Sequence, residues 1–150
     1  MQPSHPSIAA TQGGARTDYR VLRQISTRWL DNDVYGHINN VVYYEFIDTA
    51  VNGWLIERCG DVRQLDAIGI VAESSCRFLQ GLSFPQAIAA GLRLEKLGTS
   101  SVIYQIGIFG GEDLLAAAIG RFVHVYVDAE SRRPVAIPEA IRAELADITG

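Results

Sequence analysis

Two carboxylates and an imidazole lie close together in the stretch Asp31-Asn32-Asp33-Val34-Tyr35-Gly36-His37, and Ile38-Asn39-Asn40-Val41-Val42-Tyr43-Tyr44 follows directly. Asparagine is a preferred N-cap residue, so Asn39 or Asn40 opens a helix. The first N–H groups of a helix have no intrahelical partner, and negative charge gathers there. An oxyanion developing at such a helix start would be stabilised electrostatically. Asp33, just ahead of it, is placed to act as base or nucleophile toward the same carbonyl. This set suits acyl transfer or hydrolysis. Each residue also has a plainer reading. Asp33 can cap a turn, Asp31 can shape the loop through nearby backbone, and Asn39 and Asn40 can cap the helix. His37 can orient Asp33 or the loop, or meet a substrate.

The elements that must hold these residues follow from periodicity. Tyr19 to Trp29 reads as a strand, with Tyr19, Val21, Ile25, Thr27 and Trp29 on one face. The helix runs from Asn39 or Asn40 to about Cys59, where Gly60 stands at the C-cap. Tyr43, Ile47, Ala50 and Trp54 recur along it at helical spacing, as do Tyr44, Val51 and Leu55, so structure is expected to wrap most of it. Four strands follow: Ile68 to Leu79, Pro85 to Leu97, Thr99 to Phe109 and Leu114 to Val127. In the last of these one face carries Ala116, Ala118 and Gly120, small enough for a helix to approach closely. Pro138 to Ile148 reads as a short final helix with Pro138 in its first turn. One long helix against one antiparallel sheet gives an α+β domain. The other face of the sheet needs a cover, so a homo-oligomer, dimer or tetramer, is expected.

Asp-x-Asp-x-x-Gly-His-Ile-Asn-Asn between a first strand and a long helix resembles the motif of hot-dog thioesterases, with the 4-hydroxybenzoyl-CoA thioesterase-like enzymes and the acyl-ACP thioesterases as the nearest groups. The order of elements over residues 19–127 agrees with that resemblance. It implies a hot-dog fold, in which a five-stranded antiparallel sheet wraps a long central helix, and hydrolysis of an acyl-CoA to free acid and CoA. Asp33 then matches the catalytic carboxylate, with the oxyanion hole at Asn39 to Val41. His37 and Glu73 match groups implicated in the acyl-ACP enzymes. Those enzymes carry a catalytic asparagine two positions after the aspartate, where this chain has Tyr35. That departure favours the acyl-CoA enzymes. Tyr35, Tyr43, Tyr44 and Ile47 are expected to meet the substrate. The resemblance implies no metal and no cofactor. Glu73 has a plainer reading too, as a surface residue paired with Arg77. An acyl-ACP thioesterase, a dehydratase or hydratase on the same fold, and a non-catalytic acyl-CoA-binding domain are the competing readings.

Composition bounds the rest. The chain has 150 residues, the size of one domain. Residues 1–17, rich in Pro, Ser, Gly and Thr, read as a flexible leader before a domain at 18–150. The net charge of −4 argues against nonspecific nucleic-acid binding. Arg77, Arg121, Arg132 and Arg133 are the cations available for CoA phosphates. Cys59 and Cys76 lack metal-ligand spacing, which argues against a zinc site. No apolar run reaches the ~20 residues that span a bilayer. With no signal-peptide pattern, reduced thiols in the cytoplasm are expected.

Overall fold

The computed structural model describes residues 12–149. Its regular elements are β1 (Val21–Ile25), α1 (Asn40–Cys59), β2 (Ala67–Phe78), β3 (Ile88–Leu97), β4 (Ser101–Gly110), β5 (Ala118–Asp128) and α2 (Glu139–Ala146). The strands form one antiparallel sheet in the order β1-β3-β4-β5-β2. α1 lies in its concave face, which is the hot-dog arrangement of an α+β domain.

Alternation along the strands decides what meets the helix. Leu92, Leu94, Val102, Tyr104, Ile106, Ile108, Ala118 and Phe122 point inward and are buried with Phe46, Ile47, Ala50, Val51 and Trp54 of α1. Of the small residues expected to meet the helix, Ala118 and Gly120 do so, while Ala116 precedes the strand and packs on the outer face. A Cβ on Gly120 would run into the Ile47 side chain. The opposite side of α1 stays open, with Val41, Tyr44 and Ile56 exposed, so the helix is covered on one face rather than on most sides. No helix among the described residues is long and apolar enough to cross a membrane.

Several boundaries differ from the periodicity. β1 stops at Ile25, and Trp29–Asp31 form a 3-10 turn. Tyr19 precedes the strand and turns to the outer sheet face, where its ring fills the space left by Gly91 and Gly107, 2.5 and 2.6 Å from where their Cβ atoms would be. Pro138 is the N-cap of α2 rather than a residue of its first turn. Of the expected leader, residues 1–11 lie outside the described residues. Residues 12–17 join the fold: Tyr19 Oη donates to the Gly13 carbonyl (2.7 Å), the Ala116 amide donates to the Gly14 carbonyl (2.9 Å), and Ala15 bridges to Leu115. Packing therefore begins before residue 18.

The outer sheet face is not the bare apolar surface that led to the oligomer expectation. Tyr19, Ala89, Phe109 and Ala116 form a small cluster there, and Glu73, Arg121 and Glu95 form an ion-pair triad. What the fold leaves unpaired is an edge. β1 and β2 are the two edge strands, and β2, the longer, is mostly exposed, with Ile70, Val71 and Phe78 open on it.

His124 sits on the inward face of β5, buried among Tyr104, Phe122 and Tyr126, and its Nδ1 has no hydrogen-bond partner among the described residues. Burial holds its pKa down at about 4, against 6.5 for the free side chain. The unfolded chain therefore takes up a proton first as pH falls. Stability is full above 6.5 and declines below it. Between pH 6.5 and 5 the loss should be roughly 2 kcal/mol. Urea unfolding across that window should show the slope for wild type and not for His124→Phe. Equal slopes would mean the imidazole is charged in the fold.

Candidate active site

Asp33 is held by its own loop and by a neighbouring one. Its Oδ1 accepts from the backbone amides of Tyr35 (2.8 Å) and His37 (3.3 Å), while Oδ2 accepts no hydrogen bond among the described residues. The Asp33 amide donates to the His37 carbonyl (2.7 Å), and Gly36 turns the chain at φ +80, a conformation that glycine adopts without strain. Three contacts pin this loop to the β2–β3 connection. The Ile38 amide donates to the Leu82 carbonyl (2.7 Å), Ser83 Oγ donates to the Gly36 carbonyl (2.8 Å), and the Phe84 amide donates to Asn32 Oδ1 (3.0 Å).

Asp31, as expected, shapes this loop. It is 1% exposed and its carboxylate takes the Arg28 amide (2.7 Å) and the Arg28 guanidinium (3.0 and 3.1 Å), closing the turn before Asn32. Removing it leaves the Arg28 amide without its acceptor and opens the turn, so Asp31→Ala should lower unfolding free energy by about 2 kcal/mol. Chemical denaturation measures this, and a change under about 0.5 kcal/mol would remove Asp31 from the scaffold, since that is the scale of ordinary surface substitutions.

The helix start is more selective than its sequence suggests. Asn39 is the N-cap: its Oδ1 accepts from the Val41 amide at 3.3 Å, and its own amide donates to the Asp31 carbonyl at 2.8 Å. Of the three amides expected to form an oxyanion hole, those of Asn39 and Val41 are thus engaged, and the Asn40 amide has no partner among the described residues.

Asp33, His37 and Asn40 line one open cavity of about 410 Å³ with Ile38, Tyr43, Phe78, Leu79, Gln80 and Gly81. The His37 ring lies against Gly81, where a Cβ would come within 3.1 Å of its Cδ2. Tyr43 and Phe78 meet edge to face, 5.2 Å between centroids, as a wall. Burial raises the Tyr43 pKa, offset in part by the Leu82 backbone.

The other sequence candidates lie elsewhere. Glu73 is on the outer face of the sheet, bound to Arg121 at 2.8 Å, and not to Arg77; within one chain it is not in the Asp33 cavity. Tyr35 is 83% exposed and Tyr44 lies on the open side of α1, while Ile47 is core beneath Gly120. Of the four residues expected to meet the substrate, only Tyr43 lines the cavity. Arg77, Arg121, Arg132 and Arg133 are all absent from its walls. Arg77 and Arg121 instead border a second hollow of about 420 Å³ on the outer face, where Arg121 is already matched by Glu73 and Glu95. That hollow brings together no nucleophile and helix start, so size does not make it the site. Phe78, Leu79, Gln80 and Gly81 escaped the sequence reading. Among the described residues, no group of three or more His, Cys, Asp or Glu is placed to hold a metal ion.

A family model for the Thioesterase-like superfamily matches residues 27–145, which covers the Asp33 loop, α1 and the whole sheet beyond β1. The chain belongs to the thioesterase-like superfamily. This thioesterase-type chain matches no curated protein sequence. Solved structures resemble it over most of their length. The PA5185 protein of Pseudomonas aeruginosa is 50% identical, with TM-score 0.88 over 91% of this chain and 96% of that one. A Thermus thermophilus thioesterase, solved with coenzyme A and Zn, is 25% identical, with TM-score 0.72 over 87% and 94%. A 1,4-dihydroxy-2-naphthoyl-CoA thioesterase from Synechocystis is 14% identical, with TM-score 0.78 over 85% and 96%, and shares the fold.

Proposed function

We propose that this thioesterase cleaves acyl-CoA to free acid and CoA in the Asp33 cavity. The observation that carries the reading is the meeting, in one cavity, of a carboxylate with an unengaged Oδ2 and the unengaged Asn40 amide at the start of a 20-residue helix. The thioester carbonyl oxygen accepts from the Asn40 amide, and the positive end of α1 stabilises charge as it builds there. Asp33 then acts in one of two ways. As base it takes a proton from a water whose oxygen attacks the carbonyl carbon. The C–S bond breaks, and that proton goes to the departing thiolate. As nucleophile it forms an acyl–aspartyl anhydride, expelling the thiolate, and water then hydrolyses the anhydride. His37 and Tyr43 line the same cavity and position the acyl group. Glu73 has no part in this scheme. Coenzyme A bound to the Thermus thioesterase supports CoA as the carrier.

The β2 edge supports a homodimer as the working unit. A long open edge with exposed Ile70, Val71 and Phe78 is a template for pairing, and a second copy satisfies it.

Thiol release from a panel of acyl-CoAs, acetyl to long-chain and aromatic, tests the function. Turnover of one class well above the rest supports it. Release from none of them rejects it.

A further inference from the structure

The Asp33 cavity has polar groups on two sides. Asp33, His37 and Asn40 stand on the loop and the helix start, where the scheme above places the thioester carbonyl. The facing wall, Phe78 to Gly81, carries one hydrogen-bonding side chain, Gln80, and the scheme gives it no part. The backbone fixes where Gln80 stands. β2 pairs with β5 as far as Phe78 and Ala118. Beyond that point the Leu79 and Gln80 amides both donate to the Ala117 carbonyl, at 2.8 and 3.0 Å. Gly81 then packs against the His37 ring, and the Leu82 carbonyl accepts from the Ile38 amide at 2.7 Å. Gln80 is thus anchored on both sides at the level of the Asp33 loop. Its side chain is not: it is exposed, and its carboxamide makes no hydrogen bond among the described residues. By contrast, Asn32 Oδ1 is committed to the Phe84 amide.

The shape of an acyl-CoA says what passes this wall. The nucleotide end carries phosphates, and the cavity walls hold no arginine or lysine among the described residues. That end stays outside, and the arm that joins it to the sulfur runs out through the open mouth. The first polar group on the arm is an amide, two carbons beyond the sulfur. A carboxamide complements an amide from either edge, because Oε1 accepts from its N–H and Nε2 donates to its carbonyl. No charge is needed, which suits a wall without cations.

We infer that Gln80 is a substrate-binding residue, and that its carboxamide takes the amide nearest the thioester. This rests on the acyl-CoA hydrolase reading and names what the cavity holds beyond the thioester itself. The group recognised is the amide of the arm and not the nucleotide, so a thioester cut back to that amide keeps the contact.

Three thioesters of the acyl group that wild type prefers give the test: those of CoA, of N-acetylcysteamine and of pentanethiol. The second keeps only the first amide, and the third replaces that amide with methylenes at the same chain length. Gln80→Leu removes both hydrogen-bonding groups at an exposed position, where substitutions change stability little. It should lower kcat/KM about three- to tenfold for the CoA and N-acetylcysteamine thioesters, the scale of one neutral hydrogen bond. The loss should fall chiefly on KM, because the contact is made in ground state and transition state alike. The pentanethiol thioester should be cleaved as by wild type. Gln80→Ala should show the same division, which separates the lost contact from the apolar surface that leucine adds. Circular dichroism establishes that both variants are folded. An equal loss with all three thioesters, or either amide-bearing thioester cleaved as well as by wild type, overturns the role of Gln80 while leaving hydrolysis at Asp33 intact. Failure of wild type to cleave any of them is a separate result that removes the functional reading, and the role of Gln80 with it.

Discussion

Asp33→Asn should lower kcat toward the best acyl-CoA at least a hundredfold, the scale that a positioned base supplies, and leave KM within about threefold, because the lost interaction belongs to the transition state. Asparagine is the informative replacement. It keeps an Oδ1 acceptor for the Tyr35 and His37 amides, so the loop retains its shape. What it removes is the anionic oxygen. Asp33→Ala would lose the amide contacts as well and confuse chemistry with positioning. Steady-state thiol release with both proteins at equal concentration measures the ratio, and a loss under about threefold, roughly 0.7 kcal/mol of barrier, would remove Asp33 from the chemistry. A single turnover in ¹⁸O water tests for the nucleophile: label in the Asp33 carboxylate requires an acyl–aspartyl anhydride opened by water at the aspartyl carbon, whereas label in the product acid alone fits a base or an anhydride opened at the acyl carbon.

Asp33, His37 and Asn40 were legible because their signals are local. A polar loop with Asp and Gly, followed by Asn before an apolar helix, fixes a turn and a helix start without reference to the rest of the chain. The opposite wall had no such signal. Phe78 to Gly81 reach the cavity because the Ile38 amide, Ser83 Oγ and the Phe84 amide tie two loops together that are distant in sequence. Glu73 was brought to the site by the resemblance and not by its place in the strand. Alternation back from Cys76 puts it with Ser75 on the outer face, and there it pairs with Val123 and meets Arg121. The bulge between Val71 and Glu73 inserts a residue and reverses the phase of the pleat, so it is Val71 that departs from strict period two and pairs with His124. The oligomer expectation reached an open surface by the wrong route, through an apolar outer face that Tyr19 and the ion-pair triad in fact occupy, when the unpaired element is an edge.

The small residues on the last strand were the better guide to the fold, and they carry the largest stability effect expected. Gly120 faces the concave side, pairs with Ile106 and Cys76, and lies directly under Ile47, which has no exposed surface. A side chain at Gly120 has no open space to enter. Its Cβ would meet Ile47 Cδ1 and Cγ1, and a shift of Ile47 moves α1 away from the sheet, because interiors are packed too closely to absorb the added volume. Overpacking costs about 1–3 kcal/mol and at times more. Gly120→Val, which adds three carbons at a contact already too short for one, should reach about 3 kcal/mol or beyond in urea unfolding. Ile47→Ala alone should also destabilise, by about 2–5 kcal/mol, through the cavity it leaves. The two changes oppose each other in volume at one contact. The double variant should therefore be more stable than the sum of the single losses predicts, with a coupling of about 1 kcal/mol or more. Strict additivity would mean that Gly120 admits a side chain by some movement other than that of Ile47, and that the helix does not rest on this strand through that contact. The start of α1 is also the Asn40 end of the site, so the same displacement should reduce turnover even at temperatures where Gly120→Val remains folded.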